Sequence, residues 1–546
     1  MLTRKQIPEL VFQPKVYGKL QRGIHTVVRA LRPTLGPLSG GVVIDHINTG
    51  NNLPEFLDGG GTIARRIIEL GNRDEDMGAM LARAMVVKQY GAVGDGTVTA
   101  AILLDELVSS GVRYIAAGGD AMQLRRLLEK LIPSVLEELD RLSFQLEGED
   151  ALINMAYSLC HDRDMAQLMG ETFALLGQYG RLEVREGYGR VLRREYVQGT
   201  YYYSGALSSA FFPNGSKTRF DVEEPSIFLC DYSIDDHREL FPVLKAAHEA
   251  GVRHLIIIAR DLSEKAVGLL TTNNSRMNTF TAIGIKLPGL NETDRMEAIE
   301  DLSLLTGTTP YLKVLGDGLG EVRAKDFGKA RRVWLDVRTF GVIGGRSDKR
   351  RLREHIQMLK RQHQAAKDFE DRTRSQQRIG NLLGGSATLW IGGFSESEIS
   401  ATKSVVDRTV RAMRLALEGG VVAGGGIALL RCRDILEQRL KTITNTDERA
   451  VHRMLINALA APARAIFSNA GYEPSEIIAK LYHESPEAGF DVETGQVVNI
   501  CSSGIYDSRD VVKASVRNAM SMAALVLTID VLVHRSNPEL VGNPDE

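Results

Sequence analysis

The feature that most restricts what this chain can fold into is a change of hydrophobic period that later reverses. Near the start, Met77-x-x-Met80-Leu81-x-x-Ala84-Met85 and Leu124-x-x-Leu127-Leu128-x-x-Leu131 space apolar residues by three and four. That spacing lines one face of a helix, so the first ~140 residues read as packed amphipathic helices. The period returns between Gly419 and His534, in Ala428-Leu429-Leu430, Ile456-x-x-Leu459 and Val516 to Val533. Between these ends, Ser226-Ile227-Phe228-Leu229-Cys230 and His254-Leu255-Ile256-Ile257-Ile258-Ala259 are short, β-branched apolar runs. Each precedes a helix-like segment, Asp236 to Ala250 and Ser263 to Asn273, as parallel strands with covering helices do. The chain is thus expected to be a multidomain α and α/β protein. Its helical ends pack together and an α/β insert forms a separate lobe. The charged stretch from Arg346 to Arg378 reads as a long, solvated helical segment with few apolar anchors.

Two glycine motifs sit in the helical ends. Gly94-Asp95-Gly96-Thr97-Val98-Thr99 falls between the helical patterns Met77 to Tyr90 and Thr97 to Ser110, and Ala423-Gly424-Gly425-Gly426 lies far downstream. Backbone N–H groups at a helix start cradle phosphate, and Asp95 offers a hard oxygen ligand for Mg²⁺. If the ends pack together, both motifs close on one nucleotide, and a change there is felt by the insert. The alternative for either motif alone is a glycine turn that merely separates two helices. No strand–G-x-G-x-x-G–helix unit with a downstream acid is visible, which argues against a small-molecule kinase or dehydrogenase built on glycine loops.

Composition narrows the class. The 546 residues suffice for about three domains, and the 43% hydrophobic and 25% charged fractions describe a soluble globular protein. A net charge of −2 points to neither nucleic acid nor an anionic membrane. Cys160, Cys230, Cys432 and Cys501 are scattered, without the spacing of a disulfide framework or zinc site, and free thiols fit a cytoplasmic location. The first residues carry no apolar signal core. The charge-free run from Ala519 to Ile529 is too short to span a bilayer and reads as a buried helix.

Thr34-Leu35-Gly36-Pro37, Gly94-Asp95-Gly96-Thr97-x-Thr99, Gly419-Gly420-Val421-Val422-Ala423-Gly424-Gly425-Gly426 and Gly504-Ile505-Tyr506-Asp507 occur in the order found in group I chaperonins. Met77-Gly78-Ala79, Ala116-Ala117-Gly118, Pro242-Val243-Leu244, Leu304-Leu305-Thr306-Gly307 and Tyr472-Glu473-Pro474-Ser475 are similar as well. The chain resembles a GroEL-type subunit over nearly its whole length. That resemblance implies a mainly helical equatorial domain (1–144 and 419–546), a small intermediate domain (145–197 and 385–418) and an α/β apical domain (198–384). It further implies an ATPase chaperone that binds non-native proteins, with ATP, Mg²⁺ and K⁺ as cofactors and a GroES-type co-chaperonin. The subunits would form a homo-oligomer of two stacked seven-membered rings, with Arg464 and Glu473 touching the opposite ring.

Carried over residue by residue, Thr34, Leu35, Gly36 and Pro37 would contact the nucleotide phosphates. Asp95 would bind Mg²⁺, and Gly96, Thr97, Val98 and Thr99 would supply donors. Gly425 would lie against ribose or adenine, Asp491 (usually Asn) near adenine, and Asp507 at the ribose hydroxyls. Asp407 would swing over the pocket to hold the attacking water. The second catalytic carboxylate is Asp58, provided that the loop Gly59-Gly60-Gly61 absorbs one extra residue; aligned without it, Gly59 takes that place. For client binding, Leu207, Phe211, Phe241, Leu244 and Val267 keep the family's apolar groove, whereas Thr271-Thr272 replaces a Val-Val pair and Ala206 and Ala210 replace tyrosines. The weakened groove motivates an alternative: a specialised ring ATPase with an adaptor or assembly role.

Overall fold

The computed structural model describes residues 9–44, 55–57, 59–187, 189–212, 220–276, 280–346, 348–366, 368–485 and 487–534. The chain divides into two compact units. One comprises 1–178, 186–192 and 391–546, the other 179–185 and 193–390.

In the first unit the two ends of the chain share one core. Leu20, Ile24, Met85, Leu104 and Leu128 interlock with Leu429, Leu455, Val516 and Met520. Strand Glu9–Phe12 pairs antiparallel with Val531–His534, joining the ends directly. Helix Arg73–Val93 shows how local chemistry sets each element. The Asn72 side chain accepts from the Asp74 and Glu75 amides, Asp74, Glu75 and Asp76 suit the positive helix start, and Gly94 stops the helix in the left-handed region at φ 77°. This helix crosses Lys15–Leu31 at Gly78 and Gly23, where a methyl group on either would strike a backbone carbonyl of the other helix. The charge-free run near the end falls in helix Arg509–Val526 up to Val526, with Ala519, Met520, Ala523, Ala524 and Val526 buried, and its last three residues follow the helix. Among the described residues, no helix is long and apolar enough to cross a membrane.

The second unit is built on a mixed sheet. Strands Thr281–Lys286, His254–Ala259 and Ser226–Leu229 lie side by side and parallel, with Ile256 between Ile283 and Ile227. Strand Gly328–Leu335 continues the sheet antiparallel. The expected helices form as Phe241–Glu249, preceded by a 3₁₀ turn that Asp236 caps, and as Glu264–Arg276. The charged stretch is helical, mostly exposed and rich in ion pairs, as expected. It is two helices, Lys349–Ala365 and Phe369–Leu383, packed on each other through Leu359, Ile379 and Leu382. Arg378 is drawn inward rather than solvated, donating to Asp301 from Nε (2.9 Å) and Nη2 (2.7 Å), with His355 Nε2 3.0 Å from the same carboxylate. The apolar anchors are few, but they share facing sides, and the Arg378–Asp301–His355 cluster ties both helices to helix Glu292–Thr306.

Candidate functional site

A cleft of about 550 Å³ opens in the first unit, walled by 34–37, 39–41, 59–62, 94–99, 157–161, 425–426 and 503–508 among other residues. Helix Thr97–Ala116 begins at it. Its N-cap is Gly96 at φ 71°, without a side-chain cap, and the first intrahelical bond runs from Ala100 N–H to Gly96 O at 3.0 Å. The amides of Thr97, Val98 and Thr99 therefore precede the ladder and are available to an anion in the cleft. Helix Ile427–Leu440 starts the same way from Gly426 at φ 77°. Helices Arg73–Val93, Ala121–Arg141 and Thr446–Asn469, by contrast, are capped by the side chains of Asn72, Asp120 and Asn445. Gly96 is required twice over, by its positive φ and because a Cβ would sit 2.5 Å from Ser515 Oγ. At Gly425 an added Cβ meets nothing within 4 Å, since it would project into the cleft.

The loop carrying Asp95 is held from below by residues that sequence reading missed. Buried Gln89 donates from Nε2 to Asp95 O (3.0 Å) and Ser515 Oγ (3.1 Å), and Asn518 Nδ2 donates to Gln89 Oε1 (2.7 Å). Ser515 Oγ in turn donates to Gly96 O at 3.1 Å. The available signal was polarity on a core face: Gln89 follows Ala82, Met85 and Val86 at helical spacing. Likewise, Asn469 Nδ2 fixes the loop at 34–37 by donating to Arg32 O and Leu35 O, both at 2.9 Å.

All twelve nucleotide residues carried over from the resemblance reach this cleft wall: Thr34, Leu35, Gly36, Pro37, Asp95, Gly96, Thr97, Val98, Thr99, Gly425, Asp491 and Asp507. Asp507 sits on strand Tyr506–Ser508, paired with Val421–Ala423, so the glycine motif and the acid are registered by one ladder. Burial, with the Asp95 carboxylate adding to it, pushes the Asp507 carboxyl up to about 7. Two carboxyl groups sharing an open cleft beside uncapped amides suit a hard divalent cation with phosphates and sugar hydroxyls. The raised value has a stability consequence. The folded chain holds this proton to near 7, while the unfolded carboxyl releases it near 4, so stability falls as pH rises through that window. Asp507→Asn is expected to remove the loss, stabilising the nucleotide-free protein at pH 8 by on the order of 1–2 kcal/mol after allowance for solvent. Urea unfolding at pH 5 and 8 checks it: an equal effect at both pH values would contradict the linkage.

Asp491 spends its carboxylate locally. It accepts from Glu493 N–H at 2.9 Å and Thr494 Oγ1 at 2.8 Å, closing a turn for which the oxygen of Asp or Asn serves equally. Asp407, expected to swing over the pocket, does not line the cleft in this structure. On helix Glu396–Gly419 the residues at the wall are Ser404 and Arg408, not Asp407. Adjacent helical residues point about 100° apart, so a one-residue offset turns the carboxylate off the wall. Half-buried there, its carboxyl is pushed upward by burial, with Arg411 and Lys403 pulling the other way. Asp58 lies outside the described residues.

In the second unit, Phe241 is 49% exposed, and Leu207, Leu244 and Val267 are half-buried against the core. Phe211, expected to line the groove with them, is buried in that core. Thr271 Oγ1 donates to Val267 O at 3.0 Å, which satisfies its hydroxyl within the helix.

A discontinuous helical unit closing a glycine-lined anion cleft from both chain ends, interrupted by an α/β insert, is the architecture of a chaperonin subunit. The TCP-1/cpn60 chaperonin family profile matches residues 203–537. Chaperonin GroEL 1 of Polaromonas naphthalenivorans (strain CJ2) is 32% identical over 528 residues, covering 96% of this chain and 95% of that protein. Two crystal forms of the chaperonin gp146 from bacteriophage EL (Pseudomonas aeruginosa), both in the presence of ATP-BeFx, match in fold. Their TM-scores are 0.68 and 0.61 at 19% and 20% identity, covering 96% of this chain and 98% of theirs. The chain belongs to the TCP-1/cpn60 chaperonin family, as a divergent GroEL-type molecular chaperone.

Proposed function

We propose that this chain is the subunit of an ATP-hydrolysing ring that captures non-native proteins and releases them after nucleotide turnover. The observation that carries the reading is the convergence of two uncapped, glycine-started helices and the Asp95–Asp507 pair on one cleft drawn from both chain ends. In this reading the amides of 97–99 and the loop at 34–37 hold the phosphates, Gly425 and Asp491 border the base, and Asp507 meets the ribose. Asp95 would hold Mg²⁺, whose charge would offset that of the phosphates. K⁺ is carried as a second cation, tested by comparing turnover in KCl and NaCl. Asp407 would position water once its helix shifts toward the cleft.

Several observations support a ring. Phe12 (57% exposed) and Val43 (63%) lie on separate two-stranded sheets whose open edges invite further strands. Arg464 and Glu473, proposed for contact between two seven-membered rings, are both exposed. The domain limits given above, a cytoplasmic site and a GroES-type partner are part of the same proposal.

The test is capture and release by the assembled particle. A chemically denatured enzyme should be held without aggregation, then recovered active after ATP and a co-chaperonin are added. Capture without release would favour the adaptor reading. Phe241→Ser should weaken capture about tenfold or more, the cost of losing one exposed aromatic anchor, while ATP turnover stays unchanged. Undiminished capture would move client binding away from this helix.

A further inference from the structure

We infer that Arg408 contacts the terminal phosphate of the nucleotide and thereby couples helix Glu396–Gly419 to the cleft. This rests on the nucleotide reading above and adds a residue that the sequence motifs did not single out. Among the described residues lining the cleft, Arg408 is the one lysine or arginine, facing a wall that also carries Asp95, Asp491, Glu493 and Asp507.

The neighbouring cations on the same helix are otherwise engaged. Lys403 Nζ donates to Glu186 Oε1 at 3.0 Å. Arg411 stacks over the Tyr90 ring at 5.7 Å, and its aliphatic stem covers Gly94. Arg408 has one hydrogen bond, from Nη2 to Leu159 O at 3.4 Å, and no carboxylate of the described residues lies within ion-pair distance. Its planar guanidinium carries five donors, four of them uncommitted, in the fork geometry that matches phosphate oxygens.

Position along the cleft selects the terminal phosphate. Arg411 follows Arg408 by three residues and packs beside Gly94, adjacent to the proposed metal ligand Asp95. Arg408 therefore stands at the metal and phosphate end, whereas Gly425 and Asp491 line the base end. Ser404, one turn earlier on the same face, adds a hydroxyl to that end. Cleavage of the terminal phosphate would remove the anchor, so the helix would respond to ATP and ADP differently.

The experiment uses the assembled full-length particle and calorimetry with two probes, magnesium β,γ-imido-ATP and MgADP. Arg408→Ala is expected to weaken the triphosphate analogue about tenfold or more while ADP affinity changes by less than about threefold. Arg408→Lys should restore part of the difference. Arg408→Gln, which keeps a polar side chain without the charge or the fork, should behave as the alanine variant does, and thermal unfolding of each confirms that it is folded. Equal weakening of both nucleotides, or no weakening of the analogue, overturns the assignment. Failure of the unaltered particle to bind MgADP would instead remove the nucleotide reading itself.

Discussion

Asp95→Ala is expected to lower magnesium-dependent ATP affinity by on the order of 100-fold or more, since removing a direct metal ligand costs at least what removing its supporting partner costs. The fold should survive. Among the described residues no hydrogen bond reaches the Asp95 carboxylate, and the loop is held instead by its backbone oxygen, through Gln89. The variant should even gain stability at alkaline pH without nucleotide. Deleting this charge relieves Asp507, whose carboxyl is pushed to about 7 by burial and then by Asp95, so its folded value moves back toward the unfolded one and less stability drains away between about pH 4 and 7. Calorimetric titration with MgATP, with and without a chelator, reads the first effect; urea unfolding at pH 6 and 8 reads the second. Magnesium-dependent affinity within threefold of the original protein would exclude Asp95 as the ligand.

Asp407→Ala should reduce turnover by roughly 100-fold, the usual scale for a group that holds or deprotonates the attacking nucleophile, and leave MgATP affinity within about threefold. Asp407 precedes Arg408 by one residue on a helix that already touches the cleft through Ser404 and Arg408. A contact between Arg408 and the terminal phosphate would draw this helix inward, so that a modest rotation brings the neighbouring carboxylate over the water. Burial pushes the Asp407 carboxyl upward, the direction that makes a carboxylate a better proton acceptor. Single-turnover hydrolysis and nucleotide titration separate the two effects. Turnover that survives unchanged would remove Asp407 from the chemistry, leaving the water to another group.

Much of the site was legible because its chemistry is local. A helix that must start without a side-chain cap needs glycine just before it, and Gly96 and Gly426 advertise that in the sequence as they hold φ 71° and 77° in space. The β-branched runs at 226–230 and 254–259 marked adjacent parallel strands for a similar reason: each is buried on both faces. Less legible was anything decided by facing. Asp407 and Arg408 are neighbours in sequence but about 100° apart around a helix, and only packing selects which meets the cleft. Phe211 looked like a surface anchor by its motif, yet the core of the lobe claims it. Arg378 looked like one solvated charge among many, until Asp301, 77 residues away, paired with it.

The sequence by itself determined the helical ends, the strand-rich insert and the glycines of the cleft, since periodicity and allowed backbone angles depend on a few successive residues. Tertiary structure alone decided that Gln89 and Asn518 would brace the Asp95 loop, that Asp507 would hold its proton to near neutral pH, and that Arg408 would be the cation at the wall. Those outcomes depend on desolvation and on charges brought together from opposite ends of the chain, and both arise only when the core that joins those ends has formed.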